Sequence, residues 1–315
     1  MKNQEGFIQY AYVRRHLGGA FLVLACLLLA VSARADEILL IQSGDSSLYR
    51  TVESTFRDQI NQQCAKGSDC PTVNSVLDMQ LTQEAIDNHD LLVAVGRQAS
   101  TLVRQLQPNK PQLHLLVFRQ NVQAKRAQGE HSTTIFMEQP LRRQLEFIQY
   151  LLPEKRRIGV LLGKPSLATE PELKALAQGL NLELRIRYVN DAREIGPALH
   201  KLRDKVDLIL ALPDNRVYNR NTLSSILLAT FRNGIPVIGF SEGMVKAGAL
   251  AALHSVPGKI AAQAADQALQ ILQGKQPANS YPVAHAVAVN RRVARSLHLN
   301  LPTENDISKT WEQTP

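Results

Sequence analysis

Residues 208–215 have the sequence LILALPDN, and residues 235–243 have the sequence IPVIGFSEG. Each stretch begins with a short apolar run and ends in polar or small residues, which is the pattern of a buried strand followed by a loop. Between them, Thr222–Phe231 is an apolar, helix-forming stretch. A strand, a helix and a second strand form a βαβ unit, in which both strands lie parallel in one sheet.

The same alternation extends over most of the chain. It predicts further strands at Glu37–Ile41, Val73–Met79, Leu91–Val95, Leu113–Phe118, Thr133–Met137, Ile158–Leu162, Leu184–Val189 and Ala249–Leu253. It predicts helices at Ser47–Gln63, Thr82–Asn88, Ala99–Leu106, Leu141–Leu151, Glu170–Gly179, Ala192–Leu202, Pro257–Leu272 and Arg291–Leu297. Continuous apolar strands indicate burial on both faces, as in a parallel sheet covered by helices.

Two blocks of this kind predict an α/β fold with two Rossmann-like lobes, each built on a parallel sheet, and a ligand cleft between them. The length of 315 residues suits two such units. The pieces after residue 249 are too small for a third domain, so the chain has to cross between the lobes more than once. We assign 36–137 plus 250–280 to the N-terminal lobe, 138–249 plus 281–302 to the C-terminal lobe, and 303–315 to a tail.

The N-terminus has the pattern of a secretory signal peptide. Arg14 and Arg15 precede an apolar run from Leu17 to Val31, and Ala33-Arg34-Ala35 provides a small-x-small cleavage site. Fifteen apolar residues fall short of the roughly 20 that span a bilayer, which disfavours the alternative of a retained anchor. We expect residues 1–35 to be removed and the mature protein to reside in the periplasm.

Charge gives little indication of a nucleic-acid partner. The whole chain carries 36 Lys and Arg against 28 Asp and Glu. The basic residues are scattered rather than arranged in a stripe along which a phosphate backbone could lie. Solvated surface charge is the simpler interpretation, and no nucleic-acid partner is expected.

Two cysteines follow the first predicted helix. Cys64 and Cys70 enclose five residues, and an oxidising periplasm would allow them to form a disulfide. A metal or redox pair is the competing interpretation. Their spacing does not match C-x-x-C, and no nearby histidine completes a zinc set.

Polar loops follow the predicted strands at the edge where open parallel sheets bind ligands. From these loops we take twelve candidate ligand-binding residues: Ser43, Asp45, Arg97, Gln98, Phe118, Arg119, Lys164, Ser166, Asp214, Asn215, Ser241 and Glu242. Each of them could instead belong to a plain turn or helix cap. A cleft between two lobes is a usual place for a small ligand.

Motifs of catalysis are weak. Gly239–Gly243 resembles the G-x-S-x-G elbow of serine hydrolases, but a second motif is missing, and Ser241 can simply cap the following turn. The eight histidines are dispersed, without metal-ligand spacing. We therefore predict neither an enzyme, nor a cofactor, nor a metal site.

Several segments resemble the ABC-transporter substrate-binding family. The resemblance is carried by LILALPDN (208–215), IPVIGFSEGMVKAGAL (235–250), DLLVAVGRQA (90–99) and the LLP-x-x-x-RIGVL core within 145–161, together with Val289-Asn290, Ala294 and Leu297. Members are similar to one another in having type I periplasmic binding protein architecture, with two lobes that close on a small solute. Some members bind aromatic or branched amino acids.

The resemblance implies a monomer that captures a small molecule, an amino acid or another anionic solute, and delivers it to an inner-membrane ABC permease. An alternative output is ligand sensing for a membrane receptor or kinase. The ligand loops of the first half differ from the family pattern. Arg97-Gln98 stands where members usually carry threonine, and Arg119-Gln120 stands where they often carry Asp-Pro.

The charges of the candidate loops suggest an orientation for the ligand. Asp214, Asn215 and Glu242 would form an acidic rim on one lobe, and Arg97 and Arg119 on the opposite lobe would face a carboxylate. The alternative is that the arginines pair with Glu242 and Asp214 and stabilise closure alone.

Overall fold

The computed structural model describes residues 35–64, 70–106, 108–122 and 131–311. Its strands are β1 (Glu37–Gln42), β2 (Thr72–Leu77), β3 (Leu91–Val95), β4 (Gln112–Val117), β5 (Ser132–Phe136), β6 (Arg157–Leu162), β7 (Glu183–Tyr188), β8 (Leu208–Leu210), β9 (Val237–Gly239), β10 (Ala251–His254) and β11 (Ala286–Val289). Its α-helices are α1 (Ser47–Cys64), α2 (Gln83–Asp87), α3 (Arg97–Leu106), α4 (Leu141–Leu151), α5 (Glu170–Gly179), α6 (Ile195–Leu202), α7 (Leu223–Arg232), α8 (Glu242–Ala247), α9 (Pro257–Leu272), α10 (Arg291–Ser296) and α11 (Glu304–Trp311).

The first lobe is built on a parallel sheet of strand order β2-β1-β3-β4-β5. One face packs against α1 and α9 through side chains such as Phe56 and Ile260. The other face packs against α2 and α3 through Ile86 and Val103. All five residues of β3 are buried, as the continuous apolar run predicts.

The second lobe is built on a sheet of strand order β11-β10-β9-β8-β6-β7, in which only β11 runs antiparallel to its neighbour. Helices α4, α5, α10 and α11 contribute to the core on one face, and α6, α7 and α8 contribute to the core on the other. The predicted class of two α/β lobes is therefore confirmed.

Two of the predicted lobe assignments are wrong. Ala251–His254, placed with the first lobe, forms β10 and pairs with β9 and β11 in the second sheet. The predicted tail contains α11, whose Ile307 is buried and whose Trp311 packs edge-on against Phe147 at 5.3 Å. Burial of these apolar side chains draws the segment onto the second lobe.

The chain crosses between the lobes at three places, and the three crossings form the hinge. Residues 137–140 lead from β5 to α4, residues 255–256 lead from β10 to α9, and residues 281–285 return to β11. Ser280 still bridges to Ile135 in the first lobe before the last crossing.

The signal-peptide segment up to residue 34 lies outside the described residues, and no described helix has the length and apolarity of a membrane span.

Cys64 and Cys70 are both free thiols in the structure. Burial and the neighbouring Cys70 raise the pKa of Cys64 to about 11. The disulfide remains a prediction.

Candidate functional site

A cleft of about 430 Å³ lies between the lobes at the carboxyl ends of the strands. The first lobe contributes Leu116 of β4 and residues that follow β1, β3, β4 and β5, and the second lobe contributes residues that follow β8 and β9. The lining residues are Leu48, Tyr49, Gly96, Arg97, Leu116, Phe118, Gln120, Asn121, Met137, Pro213, Asp214, Asn215, Tyr218 and Phe240. A parallel sheet places all these loops at one edge, which is why the two lobes face each other here.

The cleft is mainly aromatic and apolar. Phe118 of the first lobe meets Phe240 of the second edge-on, with ring centroids 6.3 Å apart. Tyr218 packs against the same Phe240 at 6.2 Å, and Tyr49 faces the cleft from α1. Edge-to-face contacts at this distance are favourable for aromatic rings.

Tyr218 brings an unsatisfied hydroxyl to this aromatic wall. The side chain is 7% exposed, and its hydroxyl has no hydrogen-bond partner within the described residues. Burial raises the pKa of Tyr218, with nearby Asp214 acting in the same direction. A neutral phenol hydroxyl that is buried without a partner can form a hydrogen bond with a polar group of a ligand.

Arg97 supplies positive charge at the first-lobe wall. It is exposed, at the first position of α3, and its guanidinium has no ion pair or hydrogen bond among the described residues. A guanidinium left free at a cleft can bind a carboxylate with two parallel hydrogen bonds.

Leu116 reaches the cleft from a distorted part of β4. Its φ of 55° lies in the left-handed region, and the pairing of β4 with β5 shifts register between His114 and Val117. Such a bulge re-aims side chains at the end of a strand. Gly96 also has a positive φ of 92°, and a Cβ there would lie 2.7 Å from the Ser43 hydroxyl oxygen, so the floor of the cleft requires glycine.

Four of the twelve predicted site residues line this cleft: Arg97, Phe118, Asp214 and Asn215. Asp214, however, is turned toward its own lobe. It is 2% exposed and accepts hydrogen bonds from the Gly163 N–H at 2.9 Å, the Ser166 hydroxyl at 2.5 Å and the Arg216 N–H at 2.9 Å. A carboxylate used in this way organises the loops after β6 and β8 rather than a ligand.

Three other predicted residues serve local structure. The Ser43 hydroxyl donates to the Val95 carbonyl and accepts from the Ala99 N–H, and thereby caps α3. The Ser241 hydroxyl accepts from the Met244 N–H and caps α8. Ser166 donates to Asp214, as described above.

The remaining predicted residues lie outside the cleft wall. Asp45, in the loop before α1, pairs with Arg50, and Glu242, at the exposed start of α8, pairs with Lys246. Glu242 does not line the cleft, so it does not form an acidic rim with Asp214 and Asn215 as predicted. Gln98 and Lys164 are exposed and do not line the cleft.

Arg119 connects the lobes instead of facing the cleft. Its guanidinium donates to Glu172 of α5 at 2.5 Å and to the Tyr281 hydroxyl in the hinge at 2.9 Å. The hydrogen bond to Glu172 is the main reason that the pKa of Arg119 is raised. The alternative in which Arg97 and Arg119 pair with Glu242 and Asp214 is therefore wrong: Arg119 pairs with Glu172, and the guanidinium of Arg97 has no partner among the described residues.

Sequence reasoning missed Tyr49, Tyr218 and Phe240, which give the cleft its aromatic character. Phe240 immediately follows β9 and could have been chosen by the same rule as its neighbours. Tyr218 lies four residues beyond Asp214, where the chain turns back, and no local signal points to it.

A smaller cavity of about 30 Å³ adjoins the cleft beside the hinge, with Gln120 and Pro213 as shared walls. Glu138 lines it. One of its carboxylate oxygens, Oε1, accepts from the Arg119 N–H at 2.8 Å. Burial raises the pKa of Glu138 to about 7.

No metal-type cluster of His, Cys, Asp and Glu occurs among the residues that the structure describes.

The profile of the ABC transporter substrate binding protein family matches residues 57–310 of this chain. A relative from Clostridioides difficile (strain R20291), the "Tyrosine-binding protein", is 26% identical over 134 residues. That match covers 42% of this chain and 38% of the relative, so it spans well under half the length of that protein.

Solved structures share the fold. The ligand-free, open form of a substrate-binding protein with adhesive properties from Clostridium difficile has a TM-score of 0.68 at 18% identity, covering 85% of this chain and 97% of that one. An ABC domain from Streptococcus pneumonia in complex with L-Trp has a TM-score of 0.60 at 18% identity, covering 87% and 98%. A conserved domain protein from Vibrio cholerae has a TM-score of 0.60 at 19% identity, covering 87% and 98%.

Proposed function

The chain belongs to the ABC transporter substrate-binding protein family, and from this premise we propose that it captures an aromatic amino acid in the cleft between its lobes. The observation that carries the proposal is the composition of the cleft. Rings from both lobes, Phe118 on one side and Tyr218 and Phe240 on the other, meet there. A planar aromatic side chain can pack among such rings and replace their mutual contacts.

Arg97 supports the amino-acid part of the proposal. It faces the same cleft with a guanidinium that is free among the described residues, and a carboxylate is its natural partner. Gln120, Asn121 and Asn215 of the same cleft wall carry neutral amides, and the carboxylate of Asp214 is held by hydrogen bonds within its own lobe. An anionic end at Arg97 and a ring among the phenylalanines give the ligand two distinct anchors.

The relative from Clostridioides difficile supports the same class of ligand. Its name assigns it tyrosine, and it is 26% identical to this chain over 134 residues. The hydroxyl of Tyr218 is buried without a partner among the described residues, and it could hydrogen-bond the phenol of tyrosine or the indole N–H of tryptophan.

Capture would work by closure of the two lobes about the three crossings that form the hinge. A ligand that contacts both Phe118 and Phe240 binds the closed form better than the open form, and it shifts the equilibrium by that difference in affinity. The ion pair of Arg119 with Glu172 joins the same two lobes beside the cleft. The closed, loaded form would then be presented to an inner-membrane ABC permease.

Export is a second part of the proposal. A substrate-binding protein of this family works outside the cytoplasm, and the signal-peptide pattern of residues 1–35 offers the route. N-terminal sequencing of periplasmic material should find Asp36 as the first residue. An uncleaved chain held in the membrane would contradict export by cleavage.

The ligand class is tested by a thermal-shift screen followed by calorimetry. Tyrosine, tryptophan and phenylalanine should stabilise the purified protein, by about 2.7 kcal/mol at a hundredfold excess over Kd, whereas leucine and ribose should not. Arg97→Ala should weaken binding by about 1.5–3 kcal/mol, the range for a hydrogen bond to a charged group. Lys164→Ala, outside the cleft wall, is the matched control. Binding of ribose but of no amino acid would refute the proposal.

A further inference from the structure

The small cavity beside the hinge contains more hydrogen-bond acceptors than its own donors satisfy. Gln144 is 4% exposed, and its Nε2 donates to the Leu253 carbonyl at 3.2 Å. That bond fixes the orientation of the amide, and it leaves Oε1 buried without a partner among the described residues. Within the same part of the chain, Oε2 of Glu138 and Oε1 of Gln120 are likewise buried without partners, and all three side chains line the cavity.

Three of the donors that line the same cavity are engaged elsewhere. The Ser166 hydroxyl donates to Asp214, the Thr169 hydroxyl donates to the Ser166 carbonyl, and Gln139 Nε2 donates to Ser255. Tyr281 accepts from Arg119, and its own hydroxyl hydrogen can satisfy at most one of the three acceptors. A bound water could donate to two of them and would bring two further lone pairs of its own.

The charge around the cavity is also unbalanced. Arg119 is the cation that lines it, and Glu172 already pairs with Arg119 at 2.5 Å. Among the described lining residues, Glu138 therefore has only the charge of Arg119 to balance its carboxylate, and it shares that charge with Glu172. Burying a carboxylate in this way is costly unless a positive group or a proton joins it.

A primary ammonium group matches the cavity in size, charge and number of donors. It is about as large as a water molecule, and the cavity has a volume of about 30 Å³. It carries one positive charge and three N–H donors, against one carboxylate oxygen and two amide oxygens. The shared walls Gln120 and Pro213 place this cavity next to the cleft.

We propose that the ammonium group of the captured solute enters this cavity and donates hydrogen bonds to Glu138, Gln120 and Gln144, a proposal that rests on the proposed function. The solute is then a primary amine, held at the hinge end by its ammonium group and in the cleft by its ring. Glu138 is the residue that selects for the positive charge, and Gln120 and Gln144 complete its hydrogen bonds.

The first test varies the ligand. Calorimetry on the purified protein compares L-tyrosine and L-tryptophan with their des-amino analogues, 3-(4-hydroxyphenyl)propionate and indole-3-propionate. Loss of the ammonium group should weaken binding at least about tenfold, which corresponds to about 1.4 kcal/mol. Equal affinity of amino acid and des-amino analogue would overturn the ammonium site and leave aromatic capture intact. If none of the four compounds binds, the ligand class of the proposed function fails instead.

The second test varies the protein. Glu138→Gln keeps the shape of the side chain and removes its charge, and it should weaken L-tyrosine binding at least about tenfold while changing the affinity for the des-amino analogue less than about twofold. Glu146→Gln, on the exposed side of α4, makes the same charge change away from the cavity and should leave both affinities unchanged.

Gln144→Met tests the amide acceptor separately and should weaken L-tyrosine binding several-fold. Thermal unfolding of each variant establishes that it is folded. Wild-type affinity for L-tyrosine in both folded variants, Glu138→Gln and Gln144→Met, would overturn the proposal.

Discussion

The side-chain amide of Gln139 donates a 2.7 Å hydrogen bond to the hydroxyl of Ser255, which joins the first and second hinge crossings. The same Nε2 contacts the Ala284 carbonyl of the third crossing at 3.3 Å. Gln139 is 2% exposed, and its Oε1 accepts from Arg143. One buried glutamine therefore links all three segments that connect the lobes.

Gln139→Ala should destabilise the protein by about 1–3 kcal/mol, because the Ser255 hydroxyl and the Ala284 carbonyl lose a buried partner. Urea unfolding followed by circular dichroism measures the change. Gln178→Ala, an exposed position on α5, is the control and should change the free energy of unfolding by less than about 0.5 kcal/mol. Equal stability of the two variants would contradict the role of Gln139 in the hinge.

Asp214→Asn should destabilise the protein by about 1.5–3 kcal/mol, the range for hydrogen bonds to a charged group. Asparagine retains one acceptor oxygen and turns an amide N–H₂ toward the donors now held by the carboxylate, which include the Gly163 N–H and the Ser166 hydroxyl. Asp45→Asn, whose side chain is 70% exposed in its pair with Arg50, should have little effect. If Asp214 instead bound the ligand and had no structural role, Asp214→Asn would have lower ligand affinity and an unchanged free energy of unfolding.

Glu172→Gln should weaken ligand affinity only a few-fold, because the Arg119–Glu172 pair is about two-fifths exposed and exposed pairs contribute about 0–1 kcal/mol. The effect should shrink as NaCl is raised from about 0.05 to 0.5 M, since salt screens exposed charges. Calorimetry at both salt concentrations measures it, with Glu146→Gln as the control. If the loss of ligand affinity in Glu172→Gln did not depend on salt, Glu172 would not act through this ion pair.

Glu138 should make stability depend on pH. Burial raises the pKa of this carboxyl from 4.5 to about 7 in the folded protein, so the folded state binds the proton more tightly than the unfolded chain. Protonated Glu138 stabilises the folded protein in full below about pH 4.5, and this stabilisation is lost as pH rises through about 7. The total loss in the free energy of unfolding is about 3 kcal/mol. Neighbouring Arg119 and Tyr281 both have raised pKa values and do not titrate in this range.

The measurement is urea unfolding of the ligand-free protein from about pH 5 to pH 8. The difference in stability between the wild type and Glu138→Gln should grow by up to about 3 kcal/mol in favour of the variant as pH rises. If the free energies of unfolding of the two proteins change in parallel with pH, ionising Glu138 costs no more in the folded protein than in the unfolded chain, which would contradict the prediction.

Cys64 and Cys70 should form a disulfide once the protein is exported, although both are thiols in the structure. The short enclosed loop predicts a stabilisation of about 2–3 kcal/mol in the chain-entropy model. Thiol titration of unfolded, unreduced periplasmic protein should find no free thiol, and the reduced sample serves as the control. Two thiols per chain in the unreduced sample would contradict the disulfide.

The sequence by itself determined the fold class and most of the secondary structure, although it did not predict helices α8 and α11. Buried strands such as Leu91–Val95 and amphipathic helices such as Leu141–Leu151 and Pro257–Leu272 have the bounds that local pattern predicts. The reason is physical: periodicity, capping and apolar runs act within a few residues of the chain. The edge at which the polar loops gather also follows, because parallel strands all end on the same side.

Only the tertiary structure decided which side chains meet at that edge. Arg119 and Glu172 are 53 positions apart, and their pairing depends on how the two lobes face each other. The apolar run Ala251–His254 would suit either sheet, and its pairing with β9 assigned it to the second. Asp214 turned inward because Gly163 has no side chain to keep it away. Such contacts arise from long-range packing, and a local pattern carries no information about them.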